Sequence, residues 1–227
     1  KPTEYVKAVD DVSFTLRKGE VIGLVGESGC GKSTLGRVLL CLDEATSGKA
    51  LFEGQDLFNL DKSSLRKLRK EMQIVFQDPQ SSLNPRLSIG SILTEPMAAH
   101  RIGDGRVDRL RRVAALLERV GLEPRMLNRF PHEFSGGQRQ RIGIARALAA
   151  EPKFIICDEV TSALDQIVQE GILKLLLRLQ KELNLSYVFI THDIATVEAI
   201  ADEIVVMYQG KVVEQGLKEK IFQPPHA

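Results

Sequence analysis

The 227-residue chain predicts an α/β fold with a mainly parallel sheet, an antiparallel β subdomain and an inserted α-helical subdomain. Three observations carry this. Short apolar runs at 21–25, 72–76, 154–157 and 187–190 are separated by stretches of helical character, the pattern of parallel strands joined by crossovers. The first run passes through a glycine-rich loop straight into a helix. Residues 78–134, by contrast, show only helical periodicity and no strand pattern.

The glycine-rich loop reads Gly26-Glu27-Ser28-Gly29-Cys30-Gly31-Lys32-Ser33-Thr34, which fits G-x-x-x-x-G-K-[ST]. At average residue usage the four fixed positions would match by chance in roughly 1 of 100 chains this long, and the strand before and helix after lower that further. Glycines let the backbone wrap so that several N–H groups point at phosphate oxygens. The helix that follows aims its positive end at the same place. Lys32 adds a full charge for the β- and γ-phosphates, and the Ser33 hydroxyl can ligate Mg²⁺. The stretch therefore predicts a P-loop NTPase core that binds nucleotide.

Composition bounds the rest. With 43% hydrophobic and 27% charged residues, the chain suits one globular unit with ample core. A net charge of +1 gives no bulk attraction to nucleic acid or anionic lipid. No apolar run is long enough to span a bilayer and no signal peptide is visible. Cys30, Cys41 and Cys157 are odd in number, lack metal-ligand spacing and read as reduced thiols of a cytoplasmic protein. The chain starts at Lys1 without Met, so a missing N-terminal piece is expected.

In chain order, residues 6–16 alternate apolar and polar side chains (Val6, Ala8, then Val12, Phe14, Leu16), as a half-buried strand does. Residues 50–52 with Gly54 read as a short strand and turn. The basic stretch 63–70 reads as a helix with a solvated face rather than a nucleic-acid contact. After the strand at 72–76, Asp78-Pro79 sends the chain into a loop. Helices are expected at 89–100 and 107–120. The second is amphipathic, with Leu110, Val113, Ala114, Leu117 and Val120 on one face.

Phe134-Ser135-Gly136-Gly137-Gln138 opens a further helix at 139–150. Alone it is either a capped helix start or a second anion cradle; its place between two other nucleotide motifs favours the cradle. The strand at 154–157 ends in Asp158-Glu159, and ligands of such sheets sit at the carboxyl ends of strands. Asp158 there can hold Mg²⁺, and Glu159 can orient an attacking water. Ser162-Ala163-Leu164-Asp165 leads into a long helix at 166–183 whose expected buried stripe is Ile167, Ile172, Leu175, Leu176 and Leu179. The strand at 187–190 ends in Thr191-His192-Asp193; a lone His is often structural, but this one closes the strand next in sequence and reads as a phosphate contact. A hairpin around Gln209-Gly210 closes the chain.

Taken together these motifs resemble the nucleotide-binding subunit of an ATP-binding cassette (ABC) transporter, over essentially the whole chain. The parts stand in that family's order: the loop at 26–34, Gln77, Ser135-Gly136-Gly137-Gln138, Asp158-Glu159, the turn ending in Asp165, and His192. Residues 76–86, with 8–14, are most similar to the oligopeptide, dipeptide and nickel importer group. The resemblance implies a single ABC domain in which residues 1–77 and 151–227 form the nucleotide-binding core and about 78–150 the helical subdomain. It implies two cassettes, identical, different or fused, facing head to tail with ATP and Mg²⁺ between them. Each loop at 26–34 would then face the partner's Ser135-Gly136-Gly137-Gln138. Lys32, Glu159 and His192 would be catalytic; Ser33, Asp158 and Gln77 would meet the metal, with Gln77 sensing the γ-phosphate; Asp165 would border the nucleotide. Tyr5 is either the adenine-stacking aromatic or an ordinary strand tyrosine. Transmembrane permease subunits and, indirectly, a solute-binding protein are the implied partners, at the cytoplasmic face of the cell membrane, with no nucleic acid.

Three positions depart from the family's usual residues: Phe134 for Leu, Val160 for Pro, and Gln166 for a small or apolar residue. Val160 frees a backbone N–H and is expected to loosen the turn to Asp165. The alternative function is a soluble cassette ATPase acting on ribosome or DNA. Such proteins carry paired cassettes or coiled-coil arms, and these 227 residues contain neither.

Overall fold

The computed structural model describes residues 6–223; Tyr5 lies outside them. In chain order the elements are β1 (Val21–Gly26), α1 (Lys32–Leu39), β2 (Leu51–Phe52), β3 (Gln55–Asp56), α2 (Lys62–Leu68), β4 (Met72–Val75), α3 (Pro79–Ser82), α4 (Ile89–Ala99), α5 (Gly105–Arg119), α6 (Gly136–Ala149), β5 (Phe154–Asp158), α7 (Gln166–Leu183), β6 (Ser186–Thr191), α8 (Ile194–Ile200), β7 (Glu203–Tyr208), β8 (Lys211–Leu217) and α9 (Lys218–Ile221). Six strands form one sheet in the order β4-β5-β6-β1-β7-β8. Every pair in it is parallel except β7–β8.

The continuous apolar runs follow from burial on both faces, as parallel sheets require. Successive side chains of a strand point to opposite faces, and here most of them divide between two main cores, with Val25 of β1 and Ile204 of β7 in a smaller third beside Val197. Tyr187 and Phe189 of β6, Ile155 and Cys157 of β5 and Val21 of β1 join a large cluster with α4, α5, α6 and α7. Val188 and Ile190, Ile156, and Ile22 and Leu24 point the other way, into a cluster with Leu35 of α1, Leu57 and Met72. Gly23 of β1 is small for a reason: a Cβ there would lie 2.4 Å from Val197 Cγ1, so its absence lets α8 seat on the strand.

The antiparallel part is smaller than the alternation at 6–16 predicts. Those residues form no strand. Val12, Phe14 and Leu16 still pack against the second core, so the period of two is real over 12–16, but Val6 is 93% exposed, Ala8 is exposed, and Val9 packs in their place. It reflects an extended segment laid on apolar surface, interrupted by Asp11 in the left-handed region at φ 54°. The antiparallel pairs are β2–β3 and β7–β8. Their turns, Glu53-Gly54 and Gln209-Gly210, place both central residues at positive φ, the geometry that matches strand twist in a two-residue hairpin.

Two further expectations are corrected. Asp78-Pro79 does not open a plain loop: Asp78 accepts the Gln80 N–H at 2.8 Å and caps the short helix α3, with Pro at its first position, where a missing N–H is harmless. Ile167 is not part of the buried stripe of α7 but 84% exposed. Ile172, Leu175, Leu176 and Leu179 are buried as expected. Ile167 falls instead with positions i+4 and i+7, Gly171 and Lys174, and Lys174 pairs with Glu170 on the solvated face.

Candidate functional site

The loop after β1 owes its shape to close approaches. A Cβ on Gly26 would lie 2.3 Å from the Met207 carbonyl oxygen, and one on Gly31 2.1 Å from that of Ala8. Gly31 also stands at φ 104° and precedes α1 without any side-chain cap. The first N–H groups of α1 are therefore unclaimed by a cap and available to an anion. Lys32 is 4% exposed. Its ammonium donates to the Gly26 carbonyl at 2.7 Å and the Glu27 carbonyl at 2.8 Å, and lies 3.7 Å from Cys30 Sγ. The charge is thus held inside the curl of the loop by the loop's own carbonyls, while Glu27, Ser28, Gly29 and Ser33 are exposed.

Parallel pairing brings the acidic strand end to the same edge. Asp158 pairs in register with Ile190, and Val25 with Thr191, so the ends of β5, β6 and β1 lie side by side. Ser33 Oγ donates to Asp158 Oδ1 at 2.9 Å, joining the loop to the acids. Burial raises the Asp158 pKa, helped by the neighbouring Glu159 charge; the Ser33 hydrogen bond and the Lys32 and Arg37 charges oppose the shift. A hydroxyl and a carboxylate at hydrogen-bond distance are hard oxygen donors, the kind that suit Mg²⁺ beside phosphate oxygens, and the burial that disfavours a bare carboxylate is offset by a bound cation. The pair fits the metal.

Glu159 leaves the strand at φ 50°, a conformation that non-glycine residues rarely adopt and that clusters at functional sites. Its N–H donates to the Ile190 carbonyl at 2.9 Å, and its carboxylate lies 3.0 Å from Nδ1 of His192, which is half exposed. The turn that follows is not loosened by Val160. That side chain is 1% exposed and packs in the large core, while Ser162 bonds back to the Glu159 carbonyl through both N–H and Oγ. Asp165 then caps α7 by accepting the Val168 N–H at 3.0 Å.

Lys32, Ser33, Asp158, Glu159 and His192 thus converge. Gln77 is exposed just past β4, the strand next to β5. Ser135-Gly136-Gly137-Gln138 belongs to a different group of elements: α6 packs on α3, α4, α5, α7 and β4, whereas α1 packs on β1, β5 and β6. Ser135 and Gly136 are exposed. Ser135 caps α6 through a box in which its Oγ accepts the Gln138 N–H and Gln138 Oε1 accepts the Ser135 N–H. A capped start and a surface cradle are here one and the same structure. Phe134, 4% exposed, anchors the box in the core. Gly137 is required by α7: a Cβ there would lie 2.4 Å from Val168 Cγ1.

Sequence reasoning missed Gln140, a glutamine 1% exposed on the buried side of α6. The available signal was its spacing: Ile144 and Ala147, at i+4 and i+7, are buried on the same face.

A family model described as ABC transporter matches residues 9–162. The oligopeptide transport ATP-binding protein OppF of Bacillus subtilis (strain 168) is 50% identical over 99% of this chain and 74% of its own length. AppF of the same organism, also an oligopeptide transport ATP-binding protein, is 53% identical over 97% of this chain and 67% of its own. The glutathione import ATP-binding protein GsiA of Pectobacterium atrosepticum is 50% identical over 98% of this chain, which spans only 36% of GsiA. Among solved structures, a dimeric post-hydrolysis state of the ATP-binding cassette MJ0796 bound to ADP and Pi superposes with a TM-score of 0.83 at 32% identity, covering 96% of this chain and 94% of that one.

Two stability predictions follow from this geometry. Because the folded pKa of Asp158 lies above the ordinary 3.8, its destabilising effect is absent where the carboxyl is protonated in both states. It grows as pH rises through about 4 and is complete above the folded pKa. Asp158→Asn keeps an acceptor for Ser33 and removes the charge. Without nucleotide or metal, it should match the wild-type thermal midpoint near pH 3.5 and exceed it at pH 7. Gly137→Ala should lower stability by roughly 1–3 kcal/mol through overpacking, and Val168→Ala in the same chain should restore most of that loss in urea titrations.

Proposed function

The chain belongs to the ABC transporter family and is one of its ATPases, and from that premise we propose that it energises an importer of peptides or related small solutes as one half of an ATP-driven dimer. The observation that supports this most is the convergence of a buried lysine, the Ser33–Asp158 pair and the Glu159–His192 pair at one sheet edge. Near-half identity to oligopeptide and glutathione ATP-binding proteins supports the solute class.

Phosphoryl transfer to water asks mainly for charge neutralisation and a placed nucleophile. Lys32 and the N–H groups at the start of α1 answer the charge of the β- and γ-phosphates. Ser33 and Asp158, with Gln77, would hold Mg²⁺, which when bound supplies further charge neutralisation at those phosphates. Glu159 orients the attacking water and takes its proton. His192 steadies Glu159 through Nδ1, which leaves Nε2 for the γ-phosphate. The second cradle, at Ser135, belongs to elements other than those of the loop and is exposed, so it is free to meet the nucleotide of a second cassette. With γ-phosphate between them the two chains are held together, and hydrolysis removes those contacts. Residues 78–150 form the helical unit that would pass the motion to permease subunits at the cytoplasmic face of the membrane. Among the described residues no helix is long and apolar enough to cross a membrane, so the passage for solute would come from those partners.

Glu159→Gln should bind ATP within about twofold of wild type, lose about 10²–10⁴-fold in hydrolysis and accumulate as a dimer with ATP in size-exclusion chromatography. Turnover at the wild-type rate would remove Glu159 from the mechanism. Lys32→Ala should weaken ATP binding by at least about tenfold, a loss of roughly 1.4 kcal/mol or more, in calorimetric titration; an unchanged affinity would contradict the role of the loop.

A further inference from the structure

The helix that starts at Ser135 is fastened to the segment that carries Gln77 at three points. Arg139 Nη1 donates to Gln80 Oε1 at 3.2 Å, Gln140 Nε2 to the Phe76 carbonyl at 3.3 Å, and Arg146 Nη1 to the Ser82 carbonyl at 2.5 Å. Of the three side chains, Gln140 is the fully buried one, at 1% exposure, and its bond goes to the residue immediately before Gln77. Its Oε1 is buried without a hydrogen-bond partner. A buried side-chain amide that pairs the Phe76 carbonyl while leaving its own acceptor unused satisfies one polar group and strands another, so fold stability alone gives little reason for it.

We propose that Gln140 is a positioning residue that couples the two nucleotide contacts of the chain, Gln77 at its own loop and Ser135 toward its partner. This rests on the function proposed above, in which Gln77 would help hold Mg²⁺ at the chain's own nucleotide and Ser135 meets the nucleotide of the second cassette. Ser135 and Gln140 are five residues apart, about 7.5 Å along the helix axis, and Phe76 adjoins Gln77 in the chain. About 1.4 helical turns and one hydrogen bond therefore make the most direct of these links, beside the Arg139 and Arg146 bonds. A shift of Gln77 toward phosphate must then either draw α6 with it or leave the Phe76 carbonyl and the Gln140 amide both unpaired. Drawing α6 is the easier path, because it keeps that bond made. One turn before Gln140, on a neighbouring position of the same helix, α6 bears on α7 at Gly137 and Val168, so a displacement of α6 is felt at the start of the helix, where Ser135 sits. Gln140 itself touches neither nucleotide.

The test is amide hydrogen exchange on the full chain with and without Mg²⁺ and a non-hydrolysable ATP analogue, at a concentration where sedimentation shows a monomer. Any change at 136–142 must then travel through the chain. In wild type, nucleotide should slow exchange at 26–34 and alter it at 136–142. In Gln140→Leu, which keeps the volume and removes the amide, the response at 26–34 should persist with affinity within about twofold, while that at 136–142 should fall at least about fivefold. Gln140→Met serves as a second variant if the first folds poorly, with thermal midpoints compared for both. An undiminished response at 136–142 in either folded variant, or none there in wild type, overturns the coupling. No response at 26–34 in wild type would instead overturn the nucleotide reading beneath it.

Discussion

The in-register parallel ladder of β5, β6 and β1 is the constraint on which the site depends. Residues 26–34, 158–159 and 192 are far apart in sequence, and none of them carries information that would bring it to the others. What brings them together is that three strands, buried on both faces, run the same way and end level, with Asp158 opposite Ile190 and Val25 opposite Thr191. Side chains alternate between two separate cores, so a slip of one residue would exchange the faces of a whole strand. The apolar pattern that fixes the register therefore also fixes the distance between Ser33 and Asp158 and between Glu159 and His192.

Groups placed at that edge are not there for stability. Lys32 is buried and satisfied by groups of its own loop, two main-chain oxygens and the Cys30 sulfur. Asp158 is held in surroundings that disfavour its charge. Glu159 occupies left-handed backbone without being glycine, a strain of order 1–3 kcal/mol. The cores beneath must over-determine the edge to keep these groups in place, and they do so by enclosing the strands from both sides. Val160, buried directly after the strained residue, is the nearest of those anchors.

Much of this was legible in the sequence. The glycine loop was readable because each fixed position has a physical reason, β5 and the centre of β6 were readable as unbroken apolar runs, and β4 as one broken only by Gln73. The α7 bounds agreed to the residue, because a capping Asp165 and a left-handed Asn184 mark its ends. What escaped depends on partners that are distant in sequence. The alternation at 6–16 announced burial, but a ladder also needs a neighbour with free N–H and C=O groups. Ile167 has the composition of a core residue and the phase of a surface one. Gln140 reads as ordinary helix polarity until its partner, the Phe76 carbonyl 64 positions earlier, is known. The requirement for glycine at 137 likewise becomes visible only when Val168 is brought against it.

The backbone at Glu159 bears on how such a protein could be improved in the laboratory. Asparagine and glycine tolerate that conformation better than glutamate. A library screened only for survival on heating would be drawn to exchange this side chain for one of them, and the winners would be robust and idle. Directed evolution of this scaffold therefore has to couple each round of heat challenge to a measure of turnover, or hold position 159 fixed and seek its gains in the helices remote from the sheet edge.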